Sequence, residues 1–318
     1  MVGEPIWRDY FAILTPQASY SGDSLEYKIF CDGKEIYRGK VYKFNGVFRV
    51  KLNDVCSNYL YSSIIFSTGW EENSSAMKTF TTYYSTNGFS SQVLANTVTF
   101  YCDYSYTINN TNVFSKPIKK EIDYRQFFVY TIYGSGSVSV NGRGYNVATN
   151  NIHTFKSKLV DENRKEMTIT VPNNTFTTKD TCNRYCLYYL NSYGGWDWIL
   201  LNGNVIKSYG YNRKNYVSED YNANPTNTTN IPFGKINYIT NTTESWKLTV
   251  TNLSDYQSSE MYNLFGSTQV YLHDMVDNII TPVVITSSKQ DEKTFYNQGR
   301  RMFNYTIEVE SSVNKVRK

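Results

Sequence analysis

At 318 residues the chain has the length for two domains of ordinary size or three small ones. Apolar residues at 40% and charged residues at 19% exclude a charge-swollen disordered polymer and a bundle of membrane spans. A balance of 32 basic against 28 acidic residues is too even to predict nucleic-acid affinity, which needs basic side chains clustered on one face. No basic stripe is legible along the chain, and Lys119-Lys120 and Gly299-Arg300-Arg301 read as solvated edges.

The aromatic share is high, with 30 Tyr, 17 Phe and 5 Trp. Tyr, Thr and Val suit a pleated, half-buried surface better than a helix, so the composition leans toward sheet. Codon bias in an AT-rich genome also enriches Tyr and Asn, which discounts both as functional signals.

In chain order, Tyr10 to Leu14 reads as a strand stopped by Thr15-Pro16. Leu25 to Phe30 and Glu35 to Tyr42 flank the hairpin turn Asp32-Gly33-Lys34, and Asn45-Gly46 turns into the alternating Val47 to Leu52. Asn53-Asp54 reads as the N-cap of a helical turn over Val55–Leu60, its Asp accepting from the first amides. Met77 to Tyr84 and Val98 to Tyr106 are further strands, with a polar tip at Thr107 to Asn112 and a boundary at Ser115-Lys116-Pro117.

The second stretch opens with the strand Phe127 to Tyr133, turned by Gly134-Ser135-Gly136 so that Ser137 to Val140 pairs back on it. Asn141-Gly142 then turns the chain again. Met167 to Val171 ends at Pro172, and Arg184 to Leu190 leads to the densest segment, Asn191 to Leu201. There Gly194-Gly195 suggests a tight hairpin over which Tyr193, Trp196 and Trp198 pack. Tyr211 to Pro232 is polar and reads as a long loop or linker. Ser245 to Val250, Val270 to Leu272, Val283 to Thr286 and Asn304 to Val309 are strands. Asp255 is placed to cap a helix through Leu264, closed by Gly266 as its C′ residue.

The expected fold is therefore mainly β, with two or three β-sandwich or barrel-like domains and a few short helices, and a C-terminal part open to an α+β reading. The segments are 1–116, an N-terminal β domain; 117–216, a middle β domain with the aromatic hairpin; and 217–318, a C-terminal β-rich domain with one short helix after a polar linker.

Chemistry finds few footholds. Only His153 and His273 offer a general base, and His273 at a strand end reads as a surface residue. Five cysteines, Cys31, Cys56, Cys102, Cys182 and Cys186, form neither a disulfide framework nor a zinc set and read as buried thiols, so no metal is expected. Gly142-x-Gly144 lacks the dinucleotide spacing and Gly134-Ser135-Gly136-Ser137 is no nucleophile elbow, so neither a cofactor nor a catalytic residue is expected.

Carboxylate pairs for glycoside cleavage have candidates in Glu71-Glu72, Asp180, Asp197, Glu219-Asp220 and Glu308/Glu310, with solvated surface acids as the plainer account. Asp197 between Trp196 and Trp198 is the most suggestive, but alternation puts both rings on one face and the acid on the other, as in a core-facing strand. The first ten residues carry no basic stretch followed by an apolar run, and no apolar run reaches the roughly 20 residues that span a bilayer. Export and a membrane anchor are thus not expected, and the Asn-x-Ser/Thr sequons are inert.

Three patterns carry a resemblance. They are Glu35 to Tyr42 leading into Val50 to Leu60; Tyr185 through Tyr193-Gly194-Gly195-Trp196-Asp197; and Ser245-Trp246-Lys247-Leu248 through Ser267 to Asp274 and on to Lys293-Thr294-Phe295. Together they cover about two thirds of the chain, and it resembles tail structural proteins of crAss-like phages and related Bacteroides phages.

The resemblance implies a virion component near the portal, a tail ring or hub that forms a homo-oligomeric ring. It also implies contact with other tail and portal-proximal proteins, DNA passing through a lumen without sequence-specific binding, and assembly in the host cytoplasm. It supplies no catalytic residues. Tyr buries a rigid body while keeping a polar tip, which suits such contacts. The alternative expectation is a tail-associated glycan-binding module with Tyr193, Trp196 and Trp198 as stacking platforms for host polysaccharide.

Overall fold

The tightest local signals set the hairpins. Asp32-Gly33, Asn45-Gly46 and Asn141-Gly142 each hold both residues at positive φ, +50° and +78°, +49° and +81°, and +50° and +79°. That backbone matches the right-handed twist of the strands it joins, and Gly and Asn adopt it at least cost. The computed structural model describes residues 4–6, 10–62, 64–101, 113–115, 117–118, 122–149, 151–159, 167–172, 174–217, 235–287, 293–297, 300–313 and 315–317. The polar tip Thr107–Asn112, the Lys119-Lys120 and Glu219-Asp220 pairs, Lys116, Gly299 and Cys102 lie outside the described residues, as does the linker from Ser218 to Pro232.

The described chain is mainly β. It forms two compact units, one of Met1–Thr181 with Leu190–Trp198 and one of Cys182–Tyr189 with Ile199–Lys318. The expected boundary at 116/117 falls inside the first of these, and that at 216/217 falls inside a strand.

In the first unit the strands are β1 (Glu4–Pro5), β2 (Phe11–Leu14), β3 (Ser24–Cys31), β4 (Lys34–Tyr42) and β5 (Phe48–Lys51). The short helix α1 (Asn53–Cys56) follows, then β6 (Gly69–Glu72), β7 (Met77–Ser85) and β8 (Val93–Tyr101). Five of the strands form a sheet in the order β1-β8-β7-β3-β4, and β2 pairs with β5 beside it. Alternation decides the inward faces: Ala12 and Leu14 of β2 and Phe48 and Val50 of β5 share a core with Leu25, Ile29, Phe80 and Phe100.

Next come β9 (Ile122–Asp123), β10 (Phe127–Tyr133), β11 (Gly136–Val140), β12 (Arg143–Val147), β13 (Ile152–Lys158), β14 (Thr168–Val171) and β15 (Asn174–Lys179). They enter two sheets, β10-β13-β6 and β12-β11-β14-β15-β9. Ser137–Val140 does not pair back on Phe127–Tyr133. β10 is buried at every position and pairs with the almost wholly buried β13, whereas β11, with one buried side chain, pairs with β12 and β14. Burial on both faces against burial on one separates the two strands.

Asn53 and Asp54 make no capping bond either. Leu52 stands at the N-cap of α1, and the Asn53 side chain turns inward to accept from the Tyr10 amide at 2.7 Å and donate to the Ile6 carbonyl at 2.5 Å.

The second unit takes most of β16 (Tyr185–Leu190), part of β17 (Trp196–Leu201), then β18 (Val205–Val217), β19 (Lys235–Leu253), α2 (Asp255–Phe265), β20 (Val270–Asp274) and β21 (Ile279–Ile285). β22 (Lys293–Asn297), β23 (Arg300–Ser311) and β24 (Lys315–Arg317) complete it. The sheet runs β17-β16-β20-β21-β23-β19-β18, with β22 beside β23 and β24 beside β19. Tyr211–Val217, expected as linker, is strand: it pairs with Lys235–Thr242 through a register shift at Lys214/Asn215.

Helix α2 begins one residue earlier than the Asp255 cap suggested. Ser254 accepts from the Gln257 amide and the Gln257 side chain accepts from the Ser254 amide, a reciprocal cap. Gly266 closes it at φ −83°, in the right-handed region, not as a left-handed C′ residue. Met261 and Leu264 are buried with Leu248, Val250 and Ile307 in the apolar interior of this unit, and Ser258 bonds Tyr305 at 2.6 Å.

Candidate functional site

A cleft of about 320 Å³ opens on the second unit's sheet. Its walls come from strands far apart in sequence: Tyr185 from β16, Leu272 and Asp274 from β20, Ile279 to Pro282 from β21, Trp246 and Glu244 from β19, and Lys207 from β18. The register gathers them, since Tyr185 stands opposite Asp274, Asp274 opposite Ile279, and Lys207 opposite Trp246.

One end is an ion-pair cluster. Arg184 reaches Asp274 through Nε at 2.9 Å and Nη2 at 2.7 Å, and Asp277 through Nη2 at 2.7 Å. The Asp274 carboxylate also accepts from the amides of Val276 and Asp277, which ties the turn after β20. Burial works against the charge on Asp274, but the Arg184 hydrogen bonds and these amides together hold its carboxyl below the usual range. Burial, followed by the Asp274 charge, pushes the Tyr185 phenol up.

At the other end Lys207 lies 3.6 Å from Glu244 and over the rings of Trp246 and Tyr209 at 5.3 and 5.0 Å. Its hydrogen bond with Tyr209, ahead of the opposing burial and the favourable Glu244 charge, raises its pKa. Between the two ends the wall is apolar, and its outer side chains face solvent: Ile279 is 57% and Val313 60% exposed. The cations and carboxylates of the cleft thus neutralise one another within the chain. The surface left for a visitor is the apolar rim.

The sites expected from sequence lie elsewhere. Trp196 and Trp198 are 0% and 1% exposed, inside the first unit. Trp198 packs on Phe128 and Phe176 at 5.5 and 6.0 Å between ring centroids, and Trp196 donates through Nε1 to Ser62 at 3.1 Å. These are core rings with no face for a sugar, while Tyr193 is half-buried in the turn. That turn is drawn tight by Asn191, whose side chain accepts from the amides of Tyr193 and Gly195 and donates to Asp197 at 2.5 Å and to the Phe114 carbonyl at 2.8 Å. A Cβ on Gly195 would fall 2.5 Å from the Phe114 carbonyl, so only glycine admits this approach. Asp197 is on a strand between the two Trp residues as expected, yet it too is buried.

Among the other acids, Glu71 is bound to buried Lys156, Glu72 accepts from Asn151, and Glu308 pairs with Lys247 at 3.1 Å. Asp180 is 4.0 Å from Arg125. His273, expected at the surface, is fully buried and stacks on Tyr188 because β20 is an interior strand. His153 is buried beside Thr149, and burial lowers its pKa. Cys31, Cys56 and Cys186 are buried as expected, but Cys182 is exposed. Among the described residues no three His, Cys, Asp or Glu side chains stand together as a metal set.

The sequence reading missed the cleft because Arg184, Lys207, Glu244 and Asp274 share no local motif; Trp246 entered that reading only as part of the alternating strand Ser245 to Val250. No protein-family model matches the chain, and no curated protein matches its sequence.

Proposed function

We propose that the chain is a structural component of a phage tail, a ring or hub protein near the portal, working through contacts among its own copies and with neighbouring virion proteins and leaving bond-making to others. The observation that supports this reading is the cleft: its charges are satisfied internally, its carboxylate is held ionised, and its rim of Ile279 and Val313 is apolar and open. Interfaces draw on such surfaces, because an apolar rim gains from burial and pre-formed ion pairs need no new partner.

Native mass spectrometry of the full chain tests the reading. A closed set of identical copies is expected, dispersed by Ile279→Asp with Val313→Asp. Copies that ignore these changes remove the cleft from the proposal, and purified tails without the chain end it.

A further inference from the structure

The ribbon of β18 and β19 carries an assembled feature that no single stretch of sequence holds. Every residue from Ile206 to Val217 is exposed, although they form one strand. The C-terminal β24 lies along the other side of β19, with Lys315 opposite Thr242 and Arg317 opposite Thr240; in the same two rows β18 places Tyr211 and Arg213. Neighbouring strands are about 4.8 Å apart and same-face rows about 7 Å, so the backbones of Arg213, Lys315 and Arg317 lie within roughly 12 Å.

Lys207, six residues before Arg213, shares its face at the root of the ribbon and Lys235 lies further out, while Lys214 alternates to the opposite face. Over β18, residues 235–244 and β24, six basic residues meet one acid, Glu244, itself beside Lys207; the whole chain balances 32 against 28. The connecting segment adds Glu219 and Asp220 to the sequence between the strands.

We infer that this basic strip is a contact surface for duplex nucleic acid, engaged through the phosphate backbone. The rest of the inventory on this face is of the kind that donates to phosphate: Tyr209, Tyr211, Thr240 and Thr242. The tyrosine rings hold cations rather than open faces, with Lys207 over Tyr209 at 5.0 Å and Arg213 over Tyr211 at 5.2 Å. Stacked bases would need those faces, whereas phosphates need the cations they support. A protein interface, by contrast, is depleted of lysine at its centre. The inference stands on the ribbon alone: a duplex that fails to bind leaves the assembly proposal as it was, and the reverse holds too.

The test is fluorescence anisotropy of a labelled 30-base-pair duplex with the full chain between 50 and 200 mM salt. Binding is expected with a log K against log salt slope near −3 to −4, about four phosphates neutralised. Arg213→Glu with Lys235→Glu is expected to weaken it at least tenfold at 50 mM salt and flatten the slope by about two. Lys315→Glu with Arg317→Glu is expected to do the same, while the equal charge change Lys34→Glu with Lys40→Glu on β4 has no such effect. All these variants should keep the wild-type circular dichroism.

No binding at 50 mM salt, or binding indifferent to both ribbon variants, overturns the inference. So does equal affinity for polyglutamate, which assigns the strip to an acidic protein. Tighter binding of a single-stranded 30-mer, lost on Tyr211→Ala, overturns it in favour of base stacking.

Discussion

Trp198→Ala separates a core ring from a binding platform. The ring is 1% exposed and contacts Phe128 and Phe176 at 5.5 and 6.0 Å. Removing about 200 Å² of buried apolar surface at about 25 cal/mol/Å² costs up to about 5 kcal/mol, and two lost aromatic pairs add about 0.5–1.5 kcal/mol each. Partial collapse of the site returns some of this, and measured Trp→Ala changes in cores fall at about 3–5 kcal/mol. We expect about 4 kcal/mol for the first unit, against a total of about 5–15 kcal/mol for a domain.

In urea, with a slope of about 2 kcal/mol/M, that moves the first unit's midpoint by about 2 M. Far-ultraviolet circular dichroism follows the transition, which two units need not complete together. Trp198→Phe retains most of the packing and should move it by less than half as much. A Trp198→Ala midpoint within about 0.3 M of wild type would refute the packing argument and return the ring to the surface.

The cap of α2 gives a smaller effect: Ser254→Ala removes the acceptor for the Gln257 amide and should cost about 1 kcal/mol, read as a lower melting temperature. Asp274 contributes stability through its ionised form, fully present above its unfolded pKa of about 3.9 and lost as pH falls through the lower folded value. Stability of the second unit should therefore drop below about pH 4, and Asp274→Asn should flatten that fall while costing about 1–2 kcal/mol at neutral pH, as urea titrations across pH would show. Burial pushes the Cys56 thiol up to about 12, and Cys31 and Cys186 are also buried. Iodoacetamide at pH 8 should thus label exposed Cys182 at once and Cys31, Cys56 and Cys186 only after unfolding, as peptide mass mapping would show; early labelling of Cys56 would contradict its burial.

The turns and the amphipathic strands were legible because their signals are local. Asp32-Gly33 and Asn45-Gly46 need nothing beyond their own φ angles, and β2 and β5 show their inward faces in a period of two. The N-cap of α2 was legible and misread: Ser254-x-x-Gln257 carries the reciprocal pattern, but Asp255 drew the assignment. Asn53 failed for another reason. Its side chain had the chemistry of a cap, yet the Tyr10 amide and Ile6 carbonyl, 43 and 47 residues away, made better use of it. His273 looked exposed because the end of a strand says nothing of its neighbours, and β16 and β21 cover it on either side.

The cleft and the basic strip were illegible for the reason that makes them interesting: both are products of register. A linker was the natural reading of Tyr211 onward, because Asn, Thr and Tyr without aliphatic residues cannot build a core. Nor do they here, since β18 is exposed along its length. Its order comes instead from the ladder to β19, one end of which is anchored where Trp246 and Leu248 are buried and β23 pairs on the far side. Past Thr240 the ribbon has two described strands, steadied by such pairs as Tyr216 and Tyr238, 6.2 Å apart. Cross-strand pairs contribute about 0.2–1 kcal/mol each, while ordering a residue costs about 1–2 kcal/mol. An arm of that length is weakly held by its own contacts. Its chemistry, cations and hydroxyls without an apolar stripe, is therefore better explained by what it touches than by what it packs, and that places the functional information of this part of the chain in its pairing register.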